Sequence, residues 1–298
     1  IWLVSTWEKL GKPKKLNIVE LGPGDGSLSK VLVDTFVKFP RAYKSINIFL
    51  YEKSGYLIKE QKKKIKNLKV RWIKDFNSIN GGPVIFFGNE FFDAIPIKQF
   101  LYIKKILFEK CFSINSNSVL KERYKKANDK DLRKIKTFKV LKKNKFIEFP
   151  KQGFIQLDKI VKKIEKLSGG ILLIDYGYLK TFNQSTLQAI KQNKKMNMKY
   201  LYKNLGEVDI TSLVNFSLLK EYFLLSNLNV KKIVSQKFFL EKMGILERAK
   251  ILEKKMTQKQ KNYMIFTLRR LLHKRLMGEL FKVIFAFKSK NSNFLGFK

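Results

Sequence analysis

The segment from Asn17 to Ser29, Asn-Ile-Val-Glu-Leu-Gly-Pro-Gly-Asp-Gly-Ser-Leu-Ser, constrains this chain more than any other. Ile18, Val19 and Leu21 read as a strand covered on both faces, because a run of apolar residues leaves no side for water. Gly22, Gly24 and Gly26 then supply a bend in which backbone can lie against a ligand with no Cβ in the way, and Pro23 stiffens it. A helical pattern starts at Leu28. Strand, glycine turn and helix in this order form the nucleotide-type corner of a doubly wound α/β sheet. The third glycine follows the second by two residues, so the spacing is G-x-G-x-G, a partial match to the dinucleotide fingerprint G-x-G-x-x-G. That spacing disfavours a dehydrogenase.

With 298 residues and 45% hydrophobic content, the chain supports a full-sized core. It opens at Ile1 on what reads as the inside of a helix, the pattern of a fragment whose N-terminal segment lies elsewhere. No uncharged apolar run is long enough to predict a transmembrane helix. Cys111 and His273 are the only residues of their kinds, which excludes disulfide frameworks, predicts no metal site and leaves no multi-histidine centre. His273 sits among Arg270, Lys274 and Arg275 and reads as part of a solvated basic helix face. The net charge of +39 invites a nucleic-acid reading. Its lysines are spread along the chain beside abundant Ile, Asn and Phe, the bias of an AT-rich genome, so nucleic acid is set aside as partner. An acidic partner or peripheral contact with an anionic membrane surface fits the charge as well.

Strand and helix patterns alternate through the first half: Leu16–Leu21 strand, Leu28–Phe39 helix, Ile46–Tyr51 strand, Ser54–Ile65 helix, then strands Val70–Ile73 and Val84–Phe87. From Gln99 to Glu148 short amphipathic strands, broken at Asn115–Ser118 and by the polar stretch Glu122–Arg133, predict an inserted antiparallel subdomain with a mobile loop. The parallel sheet resumes through a helix at Ile155–Leu167, Gly169-Gly170 and a buried strand, Ile171–Asp175. Thr186–Asn204 reads as a loop or lid, Ser212–Leu225 as a helix and Val230–Val234 as a late strand. Phe239–Lys254 and Gln258–Leu276 read as helices and Leu280–Phe287 as a closing strand. The expected division is a cofactor-binding, Rossmann-like part over residues 1–98, the β-rich insert over 99–150 and the remainder over 151–298.

In such sheets ligands bind beyond the carboxyl ends of the strands, near the switch point. The first strand offers Glu20 and the glycine turn. The second offers Glu52, placed to accept hydrogen bonds from both hydroxyls of a ribose. Asp75 and Phe76 follow the third and are candidates to bracket an adenine. Beyond the fourth stands Gly88-Asn89-Glu90-Phe91-Phe92-Asp93-Ala94-Ile95-Pro96, whose polar groups flanked by two aromatics predict a pocket for an amino-group substrate. Asn89, Glu90 and Asp93 are the candidate catalytic residues: a carboxylate there can bind a cationic target or take its proton. Asp93 equally suits the first turn of a helix. Asp175 and Asp209 add further acids, with an N-cap role competing for Asp209.

An acid two residues ahead of G-x-G-x-G is the form used by S-adenosylmethionine (AdoMet) methyltransferases. Taken together, Glu20–Gly26, Asn89–Pro96, Asp175–Gly177, Thr186–Ala189, Asp209–Phe216, Gln236–Gly244 and Met277–Val283 resemble, in the same order, the MidA family of class I AdoMet-dependent methyltransferases. That family includes a mitochondrial assembly factor of respiratory complex I. The resemblance implies AdoMet as cofactor and protein arginine N-methyltransfer, with symmetric dimethylation of a complex I subunit. A guanidinium is always charged, and a carboxylate can hold it bidentately while leaving electron density on the attacking nitrogen. Glu90 is the first choice for that clamp and Asp93 the second. The chain departs from the family at Asn193, Leu213 and Asn215, where histidine, histidine and aspartate are usual, and lacks a tryptophan near Phe108-Glu109.

Two other readings compete. A non-catalytic assembly factor would keep AdoMet binding for stability and dock a partner through its basic surface. An RNA or DNA amino-methyltransferase would fit the charge and Asn89, but Asn89-Glu90-Phe91-Phe92 lacks the two prolines usual there. The compartment expected is a bacterial cytoplasm, with the mitochondrial matrix as the alternative.

Overall fold

The computed structural model describes residues 1–114, 120–180, 182–191, 194–196 and 206–298. They form two units, one of Ile1–Phe91, Asp158–Tyr176 and Ser226–Lys298, the other of Phe92–Leu157 and Gly177–Leu225. The first unit opens with α1 (Trp2–Lys9), β1 (Leu16–Leu21), α2 (Ser27–Phe36), α3 (Pro40–Ser45), β2 (Ile46–Tyr51), α4 (Gly55–Lys64), β3 (Val70–Ile73) and β4 (Val84–Asn89). The second contributes β5 (Lys98–Ile103), β6 (Ile106–Ile114), β7 (Leu120–Lys126), α5 (Asp129–Lys136) and β8 (Phe146–Phe149). Helix α6 (Lys151–Leu167) begins in the second unit and ends in the first, and β9 (Gly169–Tyr178) runs the other way. The second unit closes with β10 (Gln188–Lys191), β11 (Lys194–Met196), β12 (Asp209–Thr211), β13 (Val214–Asn215) and α7 (Phe216–Leu225). The first resumes with β14 (Asn229–Val230), β15 (Val234–Ser235), α8 (Gln236–Lys242), α9 (Ile245–Glu253), α10 (Gln258–Leu272), α11 (Met277–Leu280) and β16 (Phe281–Lys288).

The first unit is built on a sheet ordered β14-β16-β9-β4-β1-β2-β3. Strands β9, β4, β1, β2 and β3 run parallel, and β16 lies antiparallel between β9 and β14. The chain winds from β1 outward to β2 and β3, then returns to place β4 on the other flank of β1. The switch point therefore lies between β1 and β4, in register from Asn17 opposite Val84 to Glu20 opposite Phe87. All six residues of β1 are buried, as its apolar run requires. Gly169 enters β9 where a Cβ would stand 1.9 Å from the Val84 carbonyl oxygen, and its φ of +111° suits glycine alone. Phe285, fully buried at the middle of β16, packs against Trp2, Phe287, Phe294 and Phe297 with ring centroids 4.8–6.0 Å apart.

The second unit holds an antiparallel sheet ordered β7-β6-β5-β8 and a small one ordered β11-β10-β12. Its core is aromatic. Phe154 stacks on Phe138 at 5.4 Å and on Tyr222 at 4.6 Å, with Phe149 edge-on at 5.3 Å.

Several expected elements differ in detail. The polar stretch Glu122–Arg133 is not a break: it carries most of β7 and the start of α5. Residues Lys121–Lys126 are exposed on both faces and held by the backbone ladder to β6, so hydropathy had no pattern to show. The start of α5 is set by Asn128, whose Oδ1 accepts the Asp131 N–H at 2.8 Å. The helix expected over Phe239–Lys254 is two helices, interrupted at Gly244 with φ +79°. The one expected to reach Leu276 stops at Leu272, because His273 is extended. Val230–Val234 has strand only at its two ends, in β14 and β15. Part of the expected lid Thr186–Asn204 is strand, in β10 and β11; residues 197–204, Asn193 and the loop Asn115–Ser118 lie outside the described residues. Asp209 opens β12 and caps no helix.

Phe285→Ala removes the ring that four other aromatics pack around, and a cost of about 3–5 kcal/mol is expected. A urea midpoint unchanged by this substitution, followed by circular dichroism, would contradict that packing.

Candidate active site

The turn after β1 is set by what its glycines lack. Gly22, Gly24 and Gly26 all have left-handed φ, at +62°, +55° and +77°. A Cβ at Gly22 would stand 3.1 Å from the Phe91 ring, and one at Gly26 would stand 3.1 Å from Gln61 Cγ. At Gly24 a Cβ would meet nothing within 4 Å, so the turn is open to a ligand at its middle glycine. The Gly22 N–H donates to the Tyr51 carbonyl at 3.1 Å, which ties the turn to the end of β2. The Gly26 N–H donates to the Pro23 carbonyl at 2.9 Å, and Gly26 is the N-cap of α2.

Two buried acids flank this turn. Glu20 is 4% exposed, and its Oε2 accepts a hydrogen bond from the Ser29 hydroxyl on the first turn of α2. Burial pushes its carboxyl up to about 7, with the Ser29 bond opposing the shift. Glu52 ends β2; its Oε1 accepts the Lys53 and Ser54 N–H groups at 2.8 and 2.9 Å. Gln61, fully buried on α4, links these pieces: its amide donates to the Gly24 carbonyl at 2.7 Å and to Glu52 Oε2 at 3.4 Å. Its own oxygen accepts the Trp72 indole N–H at 2.8 Å. Sequence reasoning missed Gln61. The signal was there, since Leu57, Ile58, Gln61 and Ile65 share one helix face and Gln61 is the single polar member.

Beyond β3, Asp75 is exposed and its Oδ1 accepts the Asn77 N–H at 2.8 Å. Phe76 is buried, its ring 4.8 Å from Tyr51 and 5.2 Å from Phe86, so it lies in the packed layer that continues from the end of β2. Beyond β4 the chain turns sharply. Asn89 pairs with Ile174, and the Glu90 N–H donates to the Ile174 carbonyl at 2.9 Å. Glu90 itself has φ +52°, a conformation that costs a side-chain-bearing residue about 1–2 kcal/mol. Asn89 Nδ2 lies 3.4 Å from Glu90 Oε1. Phe91 then folds back so that its ring meets Gly22 and its Cβ lies 2.9 Å from where a Cβ on Gly88 would be.

The structure thus ties Gly24 and Glu52 together through Gln61, holds Glu20 to Ser29 on the helix that the glycine turn opens, and sets Asn89 and Glu90 across the switch point from them. Asp93 belongs to the other unit, where it is 6% exposed and its carbonyl accepts the Ser212 N–H at 3.2 Å. Asp175 is 1% exposed and accepts its neighbour Tyr176 N–H at 2.9 Å. Among the described residues no group of three His, Cys, Asp or Glu could hold a metal ion, and no helix is long and apolar enough to cross a membrane.

The raised Glu20 carboxyl has a signed consequence. A carboxyl held above its ordinary value of 4.5 favours the fold when protonated; that stability is complete below 4.5 and is lost as pH rises through about 7. Glu20→Gln stays neutral throughout. Relative to the natural protein it is expected to gain up to about 3 kcal/mol between pH 4.5 and pH 8. Urea midpoints of the two proteins that stay parallel across this range would refute the assignment.

A model of the family described as "Putative S-adenosyl-L-methionine-dependent methyltransferase" matches residues 1–234. Among relatives, the Xenopus laevis protein named protein arginine methyltransferase NDUFAF7, mitochondrial, is 26% identical over 280 residues, spanning 86% of this chain and 63% of the frog protein. The Caenorhabditis elegans homologue is 26% identical over 275 residues, spanning 83% of this chain and 62% of its own length. The chain therefore spans less than two thirds of these relatives. Two crystal structures from Burkholderia thailandensis share the fold, with TM-scores of 0.79 and 0.77 at 20% identity. They cover 98% of this chain and 78% and 76% of their own, and the second is bound to S-adenosyl-homocysteine. With the match running through the glycine turn and the Asn89–Pro96 segment, the chain belongs to this family of MidA-type class I methyltransferases, whose cofactor is S-adenosyl-L-methionine.

Proposed function

We propose that this methyltransferase is a protein arginine N-methyltransferase that acts, by symmetric dimethylation, on a subunit of respiratory complex I and aids its assembly. The observation that carries the reading is Glu90: an exposed carboxylate held in a left-handed backbone conformation at the tip of β4, across the switch point from the glycine turn. Backbone strain of this kind persists where the surroundings over-determine it and concentrates at sites that bind or react. The names of relatives at 24–26% identity, which carry "protein arginine methyltransferase", support the substrate class. The same names carry "mitochondrial", so the proposed compartment is the mitochondrial matrix or, for a bacterial host, the cytoplasm.

The residues present suit the cofactor. Gly24 leaves a cradle that a larger residue would strain, and Glu20 lies buried on β1 just ahead of the turn. In this reading the turn and Glu20 hold the methionyl end, Glu52 the ribose hydroxyls, and Asp75 and Phe76 the adenine side. When bound, the cofactor supplies a methyl group on a positively charged sulfur, an electrophile that needs no further activation. What remains for the protein is alignment. Glu90 would take two guanidinium N–H groups, hold the attacking nitrogen in line and accept the proton it sheds. Asn89, hydrogen-bonded to Glu90, would fix the carboxylate's rotation. Asp93 is the second candidate for the clamp.

Glu90→Gln keeps the size of the side chain and removes its charge, so methyl transfer is expected to fall by about 100-fold or more. AdoMet affinity by calorimetry should stay within about twofold, because the cofactor contacts are made elsewhere. Retained transfer would remove Glu90 from the chemistry. The substrate class is tested by incubating the protein with methyl-labelled AdoMet and a host lysate, then locating the label by mass spectrometry. Label on arginine of a protein is expected; label confined to nucleic acid would overturn the reading, and AdoMet binding without any transfer would favour a non-catalytic assembly factor.

A further inference from the structure

Gln61 is fully buried, and a buried primary amide is costly unless its donors and its acceptor are all met. They are met by groups that cannot trade places. Its amide hydrogens go to two oxygens, the Gly24 carbonyl at 2.7 Å and Glu52 Oε2 at 3.4 Å, and its own oxygen accepts the Trp72 indole N–H at 2.8 Å. Turned over, the amide would set its oxygen against a carbonyl and a carboxylate, and its hydrogens against the indole hydrogen, so the side chain has one orientation. Gly26 makes room for it. A Cβ there would stand 3.1 Å from Gln61 Cγ and 3.5 Å from Gln61 Cα, whereas one at Gly24 would face open space.

The two bonds that Gln61 donates differ in kind. The bond to Gly24 has ordinary length and anchors the amide to the turn. The bond to Glu52 is longer than the ordinary range, so it orients Oε2 without filling it. Oε1 of the same carboxylate already accepts the Lys53 and Ser54 N–H groups at 2.8 and 2.9 Å. A carboxylate held at one oxygen alone can still swing, and a donor on the second oxygen stops it. Oε2 keeps the acceptor capacity that a ligand's hydroxyl groups need, at the end of β2.

We infer that Gln61 is a positioning residue that presets Glu52 for the ribose hydroxyls of the cofactor, taking its own bearing from Gly24 and Trp72. This rests on the reading that Glu52 takes the ribose. A Gln61 needed only to shape the turn would act without Glu52, and a double-mutant cycle separates the two roles. The test measures binding of S-adenosyl-homocysteine to the whole protein by calorimetry, in the natural protein, Gln61→Met, Glu52→Ala and the pair. Gln61→Met keeps the side-chain length and removes both donors, and is expected to weaken binding about tenfold. Glu52→Ala should weaken it about tenfold or more, and the pair should lie within about twofold of Glu52→Ala alone. Trp72→Phe leaves Gln61 its donors and removes its anchor. A loss of about threefold is expected with Glu52 intact and none in the Glu52→Ala background. This milder change decides the matter if circular dichroism shows Gln61→Met unfolded, and a Trp72→Phe without effect would then overturn the inference. Unchanged binding by Glu52→Ala would refute the ribose reading and the inference with it. Weakened binding by Glu52→Ala beside unchanged binding by Gln61→Met would keep Glu52 and remove Gln61. Losses that add in the pair would leave Gln61 a structural residue of the turn.

Discussion

One phenyl ring laid over two absent side chains organises the carboxyl edge of the first unit. Phe91 packs against Gly22 at the end of β1 and over Gly88 near the end of β4, so the two strands that flank the switch point share one cover. For the ring to arrive there the chain must reverse within a residue or two of β4, and the reversal falls on Glu90. The left-handed backbone at Glu90 is thus the geometric counterpart of a packing contact. A carboxylate is carried outward by the same turn that carries an aromatic inward. Elements far from the site serve this arrangement, since the fully buried β1 and the β4–β9 ladder keep the two strand ends level.

The electrostatics of this edge run against those of the molecule. The chain carries a net charge of +39, but the residues that close on the glycine turn are Glu20 and Glu52, both within a shell of apolar and amide groups. Acids in such surroundings are held in place by a few directed bonds, and for Glu20 it is burial that sets the carboxyl, with the Ser29 bond opposing it. Gln61 does much of that directing, because one amide reaches both the turn and an acid.

Much of this was legible from residue order. Leu16–Leu21 could be bounded to the residue because a mostly apolar run between a lysine and a glycine turn has only one way to be buried, and Val70–Ile73 because its β-branched ends and Trp72 are framed by lysines. The glycine turn declared itself through spacing. What stayed hidden was whatever tertiary contact alone decides. Strand β7, exposed along nearly all its length, owes its form to its neighbour's backbone. Gln61 was masked by the lysines around it, although helical spacing put it on the inner face. Of the candidate residues, the turn and its acids followed from position in the sheet, whereas the backbone of Glu90 followed from Phe91, which no local pattern announces. Asp93 stood three residues from Glu90 in the same segment, yet the boundary between units passes between them.

The placing of β16 bears on how this sheet can be made. It hydrogen-bonds along the whole of Gly169–Tyr176, from Lys288 opposite Gly169 to Phe281 opposite Tyr176, yet the entire closing part of the second unit and four helices intervene in the chain. Until a nascent chain has passed Lys288, one of its most apolar strands presents an unpaired edge. Such an edge is a template for pairing with other chains, and closing it is a long-range event that must wait for everything between. During synthesis, any part of the sheet that forms before residue 281 is made has β9 without its β16 partner. Pairing of Phe281–Lys288 with β9 is the event that removes this edge.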